Sequence, residues 1–321
     1  MNANTNSASP LVSILIPVYN VERYVQQALD SIASQTYANL QVIVVDDCST
    51  DSTAEIVERF CERDPRFVLL KNVTNLHIAK ALNRALSEAT GEYIARCDGD
   101  DVMEPDRIQR QLDYLHTHSD VALVGCSLVF IDESNAEISR YAFPSGTALT
   151  SHLLRYSTAV SHIWLCRREV YDQVGPYRIP TVEDYDFLLR ADLAGFKLDN
   201  IPNYFGMKIR VRTDNTVGKY GIVQRKLFNY ARRVHAAERR GLDVYAERSV
   251  QHIIENGREG VLARLHYASD KVSYMASIRP KGLPKYLLIA VAAAISPYKF
   301  QYYLNAALRM YVVRKHRRVS T

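Results

Sequence analysis

The stretch "GEYIARCDGDDVMEPDRIQRQL", residues 91 to 112, sets Asp98, Asp100 and Asp101 within four positions behind an apolar run. Two carboxylates ~4 Å apart repel by ~4 kcal/mol at an effective dielectric of ~20, so such a cluster calls for a partner. Two chemistries fit. In the first, the acids form a solvated turn that caps the helix after Pro105, because Asp is a common turn and cap residue. In the second, one or two carboxylates hold a divalent cation while the phosphates of a ligand complete its shell, the usual mode of Mg²⁺. An EF-hand calcium loop fits worse. With Asp98 and Asp100 at its first and third positions, Val102 takes the fifth and Met103 stands where that loop needs glycine.

Such acids act only if a scaffold presents them. "LVSILIPVYN" (11–20) and "LQVIVVDD" (40–47) are apolar, β-branched runs without polar alternation, the pattern of parallel strands covered on both faces. "RFVLLKN" (66–72) and "EYIARC" (92–97) predict a third and a fourth strand. Between them lie helical stretches: 22–35, with Tyr24, Val25, Ala28, Leu29 and Ile32 on one face; "STDSTAEIVERFCER", with Ile56, Val57 and Phe60; and 77–89. Strands alternating with helices at this rhythm predict right-handed βαβ units and an open α/β sheet. Ligands of such sheets sit beyond the carboxyl ends of the strands, where Pro17–Asn20, Asp46–Asp47 and Asp98–Asp101 all fall. Further along, Pro105 opens a helix with Ile108, Leu112 and Leu115 inside, and "VALVGCSLVFID" (121–132) supplies one or two strands. Helices follow near 149–155 and 183–194, extended segments near 163–167 and 203–212, and a long helical stretch from about 216.

Composition bounds the class. The 321 residues are 47% hydrophobic and 23% charged, ordinary for a soluble globular protein with ample core. Five cysteines without a CxxC pair point to a reducing compartment and away from a disulfide framework or a zinc site. "MNANTNSASP" (1–10) has the character of a disordered leader rather than a signal peptide. The net charge of +5 is unevenly spread: residues 271–321 hold ten of the 40 Lys/Arg and no acid, so the rest carries 30 bases against 35 acids. The uncharged run 286–298 is too short for a spanning helix, which needs ~20 residues. The tail instead predicts interfacial helices on an anionic membrane through about 271–318, with Tyr298, Tyr302 and Tyr303 at headgroup level. The bland alternative is a helix packed on the preceding domain with a solvated basic face. Nucleic acid is not expected, since no binding motif accompanies the charge.

The ordered set "VSILIPVYN … SIASQTY … LQVIVVDDCSTDST … NLHIAKALN … GEYIARCDGDD … PDRIQRQ" resembles family 2 glycosyltransferases, inverting enzymes with the GT-A fold. The likeness is almost continuous over about 11–130, resumes at "RREVYDQVGPY" (167–177) and "EDYDFLLRADLAGFKL" (183–198), and fades after about 217. It implies a Rossmann-like, mostly parallel sheet flanked by helices, with a helical C-terminal extension. It also implies a catalytic domain over 11–215, with a nucleotide-sugar half at about 11–130 and an acceptor half at about 131–215. By position, Pro17 and Tyr19 match the segment flanking the base, and Asp47 the acid that hydrogen-bonds it, normally a uracil. Asp98 and Asp100 match the outer acids of the Asp-x-Asp motif. The first lies near ribose and sugar, and the second is the direct ligand of Mg²⁺ or Mn²⁺. Asp184 matches the general base, with Glu183 beside it. Arg210 and Arg212 fall in a loop over the diphosphate.

The implied activity is transfer from a nucleoside-diphosphate sugar, a UDP-sugar by this reading, to a saccharide or lipid-linked acceptor hydroxyl with inversion. The expected setting is bacterial surface polysaccharide assembly, in the cytoplasm at the inner face of the cytoplasmic membrane. An alternative is an inactive nucleotide-sugar-binding scaffold. A nucleotidyltransferase shares the sheet and metal, but no glycine-rich, Lys/Arg-bearing triphosphate loop follows the first strand. Four positions have double readings. Asp46 faces either the core or a ligand. His162 and Trp164 lie on the acceptor side of the family, although a lone Trp usually packs in the core. His77 replaces a glycine common in the family, so a turn needing φ > 0 would be strained there.

Overall fold

The computed structural model describes residues 9–212, 216–257, 260–277 and 282–319; most of the expected leader, 1–8, lies outside them. The chain divides into two compact units, residues up to 151 with 159–212, and 152–158 with the described residues beyond 212.

The first unit is built on a nine-stranded sheet. Its parallel wall contains β1 (Val12–Val18), β2 (Leu40–Asp46), β3 (Phe67–Lys71) and β4 (Tyr93–Arg96), in the order β3-β2-β1-β4. Helices α1 (Val25–Ala33), α2 (Thr53–Cys61) and α3 (His77–Glu88) connect them. Every residue of β1 is buried except the half-buried Pro17, as a strand covered on both faces requires. Register then fixes the site. Val18 pairs with Asp46, so the segment after β1 and the acids after β2 leave the same edge together.

Beyond β4 the sheet becomes mixed. After β5 (Val102–Met103) and α4 (Arg107–Thr117), β6 (Val121–Ile131) runs through the core as one strand. The hairpin partner β7 (Glu137–Tyr141), α5 (Thr147–Leu153), β8 (Leu165–Arg167), α6 (Arg168–Val174), α7 (Glu183–Leu193) and β9 (Lys197–Arg210) follow. β8 is antiparallel to both β4 and β6, β9 is parallel to β6, and β5 closes the order against β9. The parallel ladders are the long ones; the antiparallel ladders are short. β9 begins well before the extended segment expected at 203–212, while β5, β7 and α6 had no clear sequence pattern.

The second unit contains α8 (Thr216–Glu238), α9 (Glu247–Asn256), α10 (Val261–Ser277), α11 (Leu283–Ile295) and α12 (Pro297–Val319). In α8, Val223, Leu227, Tyr230, Ala231 and Val234 are buried at helical spacing. Pro284 lies in the first turn of α11, where its missing N–H costs nothing. No helix among the described residues is long and apolar enough to cross a membrane.

Candidate active site

Two acid groups leave the sheet edge. After β2, Asp47 is only 3% exposed. Its Oδ1 accepts hydrogen bonds from Asn72 Nδ2 (2.6 Å) and the Leu76 N–H (2.8 Å), and its Oδ2 from the His77 N–H (2.8 Å). A carboxylate at the first turn of α3 satisfies backbone donors that a helix leaves unpaired. These donors fill three of roughly four acceptor sites and leave room for one more. His77 sits at φ 64°, so the left-handed turn persists without the family's glycine. Cys48, next to Asp47, is left-handed as well, at φ 66°. Asp46 accepts from the Ser49 N–H at 3.2 Å, and its buried Oδ1 has no partner among the described residues. Pro17 is half-buried and Tyr19 exposed. Asn20 ties their loop to the second, receiving the Thr50 N–H and donating its own N–H to Ser49 Oγ.

After β4, Asp98, Asp100 and Asp101 meet three arginines. Arg96 is buried and forks between two acids: Nε donates to Asp98 Oδ1 (3.1 Å), and one terminal nitrogen donates to Glu183 Oε1 (3.1 Å). His162 Nε2 lies 3.5 Å from Asp98 Oδ2. Burial pushes the Asp98 carboxyl up, but Arg96, and after it His162, hold it well below the usual carboxylate range. Asp100 Oδ2 pairs with Arg212 Nε at 2.9 Å. Its carboxyl still rises, through burial that Arg212 only partly opposes and through repulsion from Asp98. Asp101 Oδ1 accepts the Arg210 N–H at 2.8 Å. Burial, then Asp100 and Asp98, push Asp101 far above its ordinary value.

The three acids therefore divide differently from the sequence reading. Ligand atoms of Asp98, Asp101 and His162 lie within 4.8 Å of one another, a group able to hold a metal ion, while Asp100 is turned to Arg212. Two carboxylates and an imidazole suit Mn²⁺, and the carboxylates alone suit Mg²⁺. The raised, mutually repelling acids are what a cation would relieve, so the residues present fit such an ion.

The two expected diphosphate arginines also differ. Arg210 is buried and its guanidinium is spent on the fold: Asp100 O, Asp132 O, Gln27 Oε1 and Asn135 Oδ1, with the Tyr24 ring 4.6 Å away. Arg212 alone of the pair reaches an acid of the cluster through its side chain. Asp184 stands half-buried in the first turn of α7, and its Oδ1 accepts the Tyr185 N–H. Just before that helix Thr181 adopts φ 65°, a strained conformation for a β-branched residue. Glu183 is buried against Arg96; burial raises its carboxyl against the pull of that arginine. Asp186 is consumed by Arg178 and Arg190, and Trp164 is a core residue stacked on Phe187.

Sequence reasoning passed over Arg96 and gave Asp101 and His162 only subordinate readings. The available signal was a charged residue inside the buried run "EYIARC", which demands acid partners elsewhere. Arg107, also fully buried, gave no such signal from the polar run "PDRIQRQ": its guanidinium holds the carbonyls of Arg96 and Trp164 and so braces β4.

Comparison with known proteins bears on the family and the fold. The Glycosyl transferase family 2 profile matches residues 13–175. EpsE of Bacillus subtilis (strain 168) is 32% identical over 231 residues, covering 70% of this chain and 79% of EpsE. Among solved structures, S. aureus TarS 1–349 in complex with UDP-GlcNAc superposes with a TM-score of 0.60 at 18% identity, covering 96% of this chain and 92% of that one. The mannosyltransferase PcManGT of Pyrobaculum calidifontis, in complex with GDP-Man and Mn²⁺, gives 0.56 at 20% identity, over 96% and 87%. The structural neighbours share the GT-A-type fold, and the profile and EpsE extend the kinship to sequence: the chain belongs to the family 2 glycosyltransferases.

Proposed function

We propose that this glycosyltransferase moves a sugar from a nucleoside diphosphate, UDP by preference, to a saccharide or lipid-linked saccharide hydroxyl with inversion. The observation that carries it is the fork of Arg96, which ties Asp98 on the donor side to Glu183, the residue preceding Asp184. One cation thus spans the two functions an inverting transfer needs. The acceptor oxygen attacks the anomeric carbon as the bond to the diphosphate oxygen breaks, and Asp184 takes the hydroxyl proton. Asp47 has an acceptor site left for the imide N–H of a uracil, with Pro17 and Tyr19 beside the base. Arg212 offers positive charge to the diphosphate; Arg210 supports the acid loop from beneath. Asp98 and Asp101, with His162 alongside, would hold Mn²⁺ or Mg²⁺, and Asp100 would join them once released from Arg212. When bound, that ion supplies Lewis-acid stabilisation of the departing diphosphate.

The ligands named for TarS and PcManGT, a UDP-sugar and a GDP-sugar with Mn²⁺, support a nucleotide-sugar donor here. The setting we propose is surface polysaccharide assembly at the cytoplasmic face of the membrane. A thermal-shift screen of nucleotide sugars with and without Mn²⁺ identifies the donor, because stabilisation follows affinity by mass action. With that donor, Asp184→Asn is expected to lose at least ~10³-fold in transfer while donor binding by calorimetry is retained. A product anomer identical to the donor's, or full turnover by Asp184→Asn, overturns the assignment.

A further inference from the structure

The helices α10–α12 are built inside out. Among the described residues from 261 to 319, those fully buried are Ala263, Ala276, Ala292, Ser269, Ser296, His266 and Asn305, and no large apolar side chain is among them. The helix contacts are polar: Ser269 Oγ donates to Ala292 O (2.6 Å), His266 Nδ1 meets Ser296 Oγ (3.0 Å), and Ser273 Oγ meets Tyr303 OH (3.1 Å). Many of the large apolar residues are outside, and others, such as Leu288 and Ile289, are half-buried. Tyr286, Leu287 and Val291 of α11, and Phe300, Leu304 and Tyr311 of α12, are between 45% (Leu304) and 63% (Tyr311) exposed. Their spacing gathers them on one stripe of each helix. A helix bathed in water has the reverse arrangement, and small residues with polar pins at helix contacts belong to packing in lipid. Residues 283–319 also carry seven Lys/Arg (Lys285, Lys299, Arg309, Arg314, Lys315, Arg317, Arg318) and no acid of their own, with Lys299 paired to Asp270 of α10 at 2.7 Å.

We infer that α11 and α12 form a docking surface for an anionic lipid bilayer. Neither helix crosses it, since none is long and apolar enough. Each lies in the interface with its apolar stripe among the acyl chains and its cations among lipid phosphates. A neutral protein partner would explain the apolar stripe but not an unbroken excess of cations, so charge complementarity selects the bilayer. The inference stands apart from the sugar-transfer reading and needs no donor to test.

The full chain is floated with vesicles of phosphatidylcholine alone and of phosphatidylcholine with about a third phosphatidylglycerol. Partitioning is expected to be at least ~10-fold stronger on the anionic vesicles and to weaken as salt is raised. Leu287→Ser with Val291→Ser, and separately Phe300→Ser with Tyr311→Ser, are expected to lower it at least ~10-fold. All four positions are exposed, and unchanged helical circular dichroism checks the fold. Arg314→Gln with Lys315→Gln should erase part of the preference for anionic lipid. Equal binding to both vesicles, no binding to either, or serine variants that bind as well as the parent overturn the proposal. So does a lipid-free dimer, seen by light scattering, that the serine variants dissociate, because a second copy then covers the stripe.

Discussion

Two clusters of acids leave one sheet edge on either side of β1, and the fold treats them in opposite ways. After β2, Asp47 is met by backbone and amide donors, so its charge is spent locally on the turn that opens α3. After β4, Asp98 and Asp100 are met by the guanidinium groups of Arg96 and Arg212, with the His162 ring beside Asp98, while Asp101 accepts the Arg210 N–H; two of the three remain raised. A satisfied acid builds structure, and acids left short of charge are available for a ligand. In the function proposed above, the contrast puts the chemistry beside β4 and leaves the β2 end to hold the base. It can be broken at three places and sharpened at a fourth.

The largest effect is expected at Arg96. Replacing it by Met fills similar volume but leaves the half-buried Asp98 and the buried Glu183 without their shared cation. Breaking a buried pair in this way costs ~3–5 kcal/mol, to be read from urea unfolding of the apo protein. A loss under ~1 kcal/mol would mean that the two acids are solvated and the fork unimportant.

Asp47→Ala comes next. It frees two backbone N–H groups at the start of α3 and the Asn72 amide, and removing a partner from buried donors costs ~1–3 kcal/mol. Hydrogen exchange at Leu76 and His77 should rise selectively. If exchange there is unchanged, the turn is held by something other than Asp47.

Asp101→Asn reverses the sign. Asn keeps an oxygen for the Arg210 N–H, but the charge repelled by Asp98 and Asp100 is gone. The folded carboxyl titrates above its unfolded value, so the parent gains stability as pH falls through that raised value. Above it the ionised Asp101 subtracts from stability. At neutral pH the variant should therefore unfold later by about 1 kcal/mol, with the difference vanishing towards acid pH. Transfer activity should drop, because a site that gains stability on losing its charge is strained for function. A less stable variant at neutral pH would show that Asp101 already has its counter-charge.

How far these roles were legible follows from where their causes lie. β1 and β2 show in the sequence because a doubly covered parallel strand must be a continuous apolar run, and their ends mark the ligand edge. β5 is two residues long and exists only because β9 passes beside it, a fact of tertiary pairing with no local pattern. Arg210 and Arg212 look interchangeable at a spacing of two. Both guanidinium groups lie near the Tyr24 ring, as residues two apart on one face of an extended chain can; but β9 ends at Arg210, and Arg212 beyond it reaches the Asp100 carboxylate. The partner of Arg96 lies 87 residues away on α7, so no window of sequence contains the pair. The tail showed its charge at once, but its inverted packing needed to be seen.

The smallest effect is expected at His77, where the β2 cluster can be sharpened rather than broken. A left-handed residue other than glycine costs ~1–2 kcal/mol in the folded state. Glycine would relieve that, but it also gives the unfolded chain ~0.4–1 kcal/mol of extra freedom. His77→Gly should thus change stability by less than about 1 kcal/mol, because the N–H bonded to Asp47 belongs to the backbone and survives. His77→Val keeps that N–H too, yet a β-branched side chain tolerates φ 64° worse than histidine and should destabilise by at least ~1 kcal/mol. If both variants unfold with the parent, the turn has rearranged to negative φ. The charge of Asp47 would then be holding something other than the start of α3.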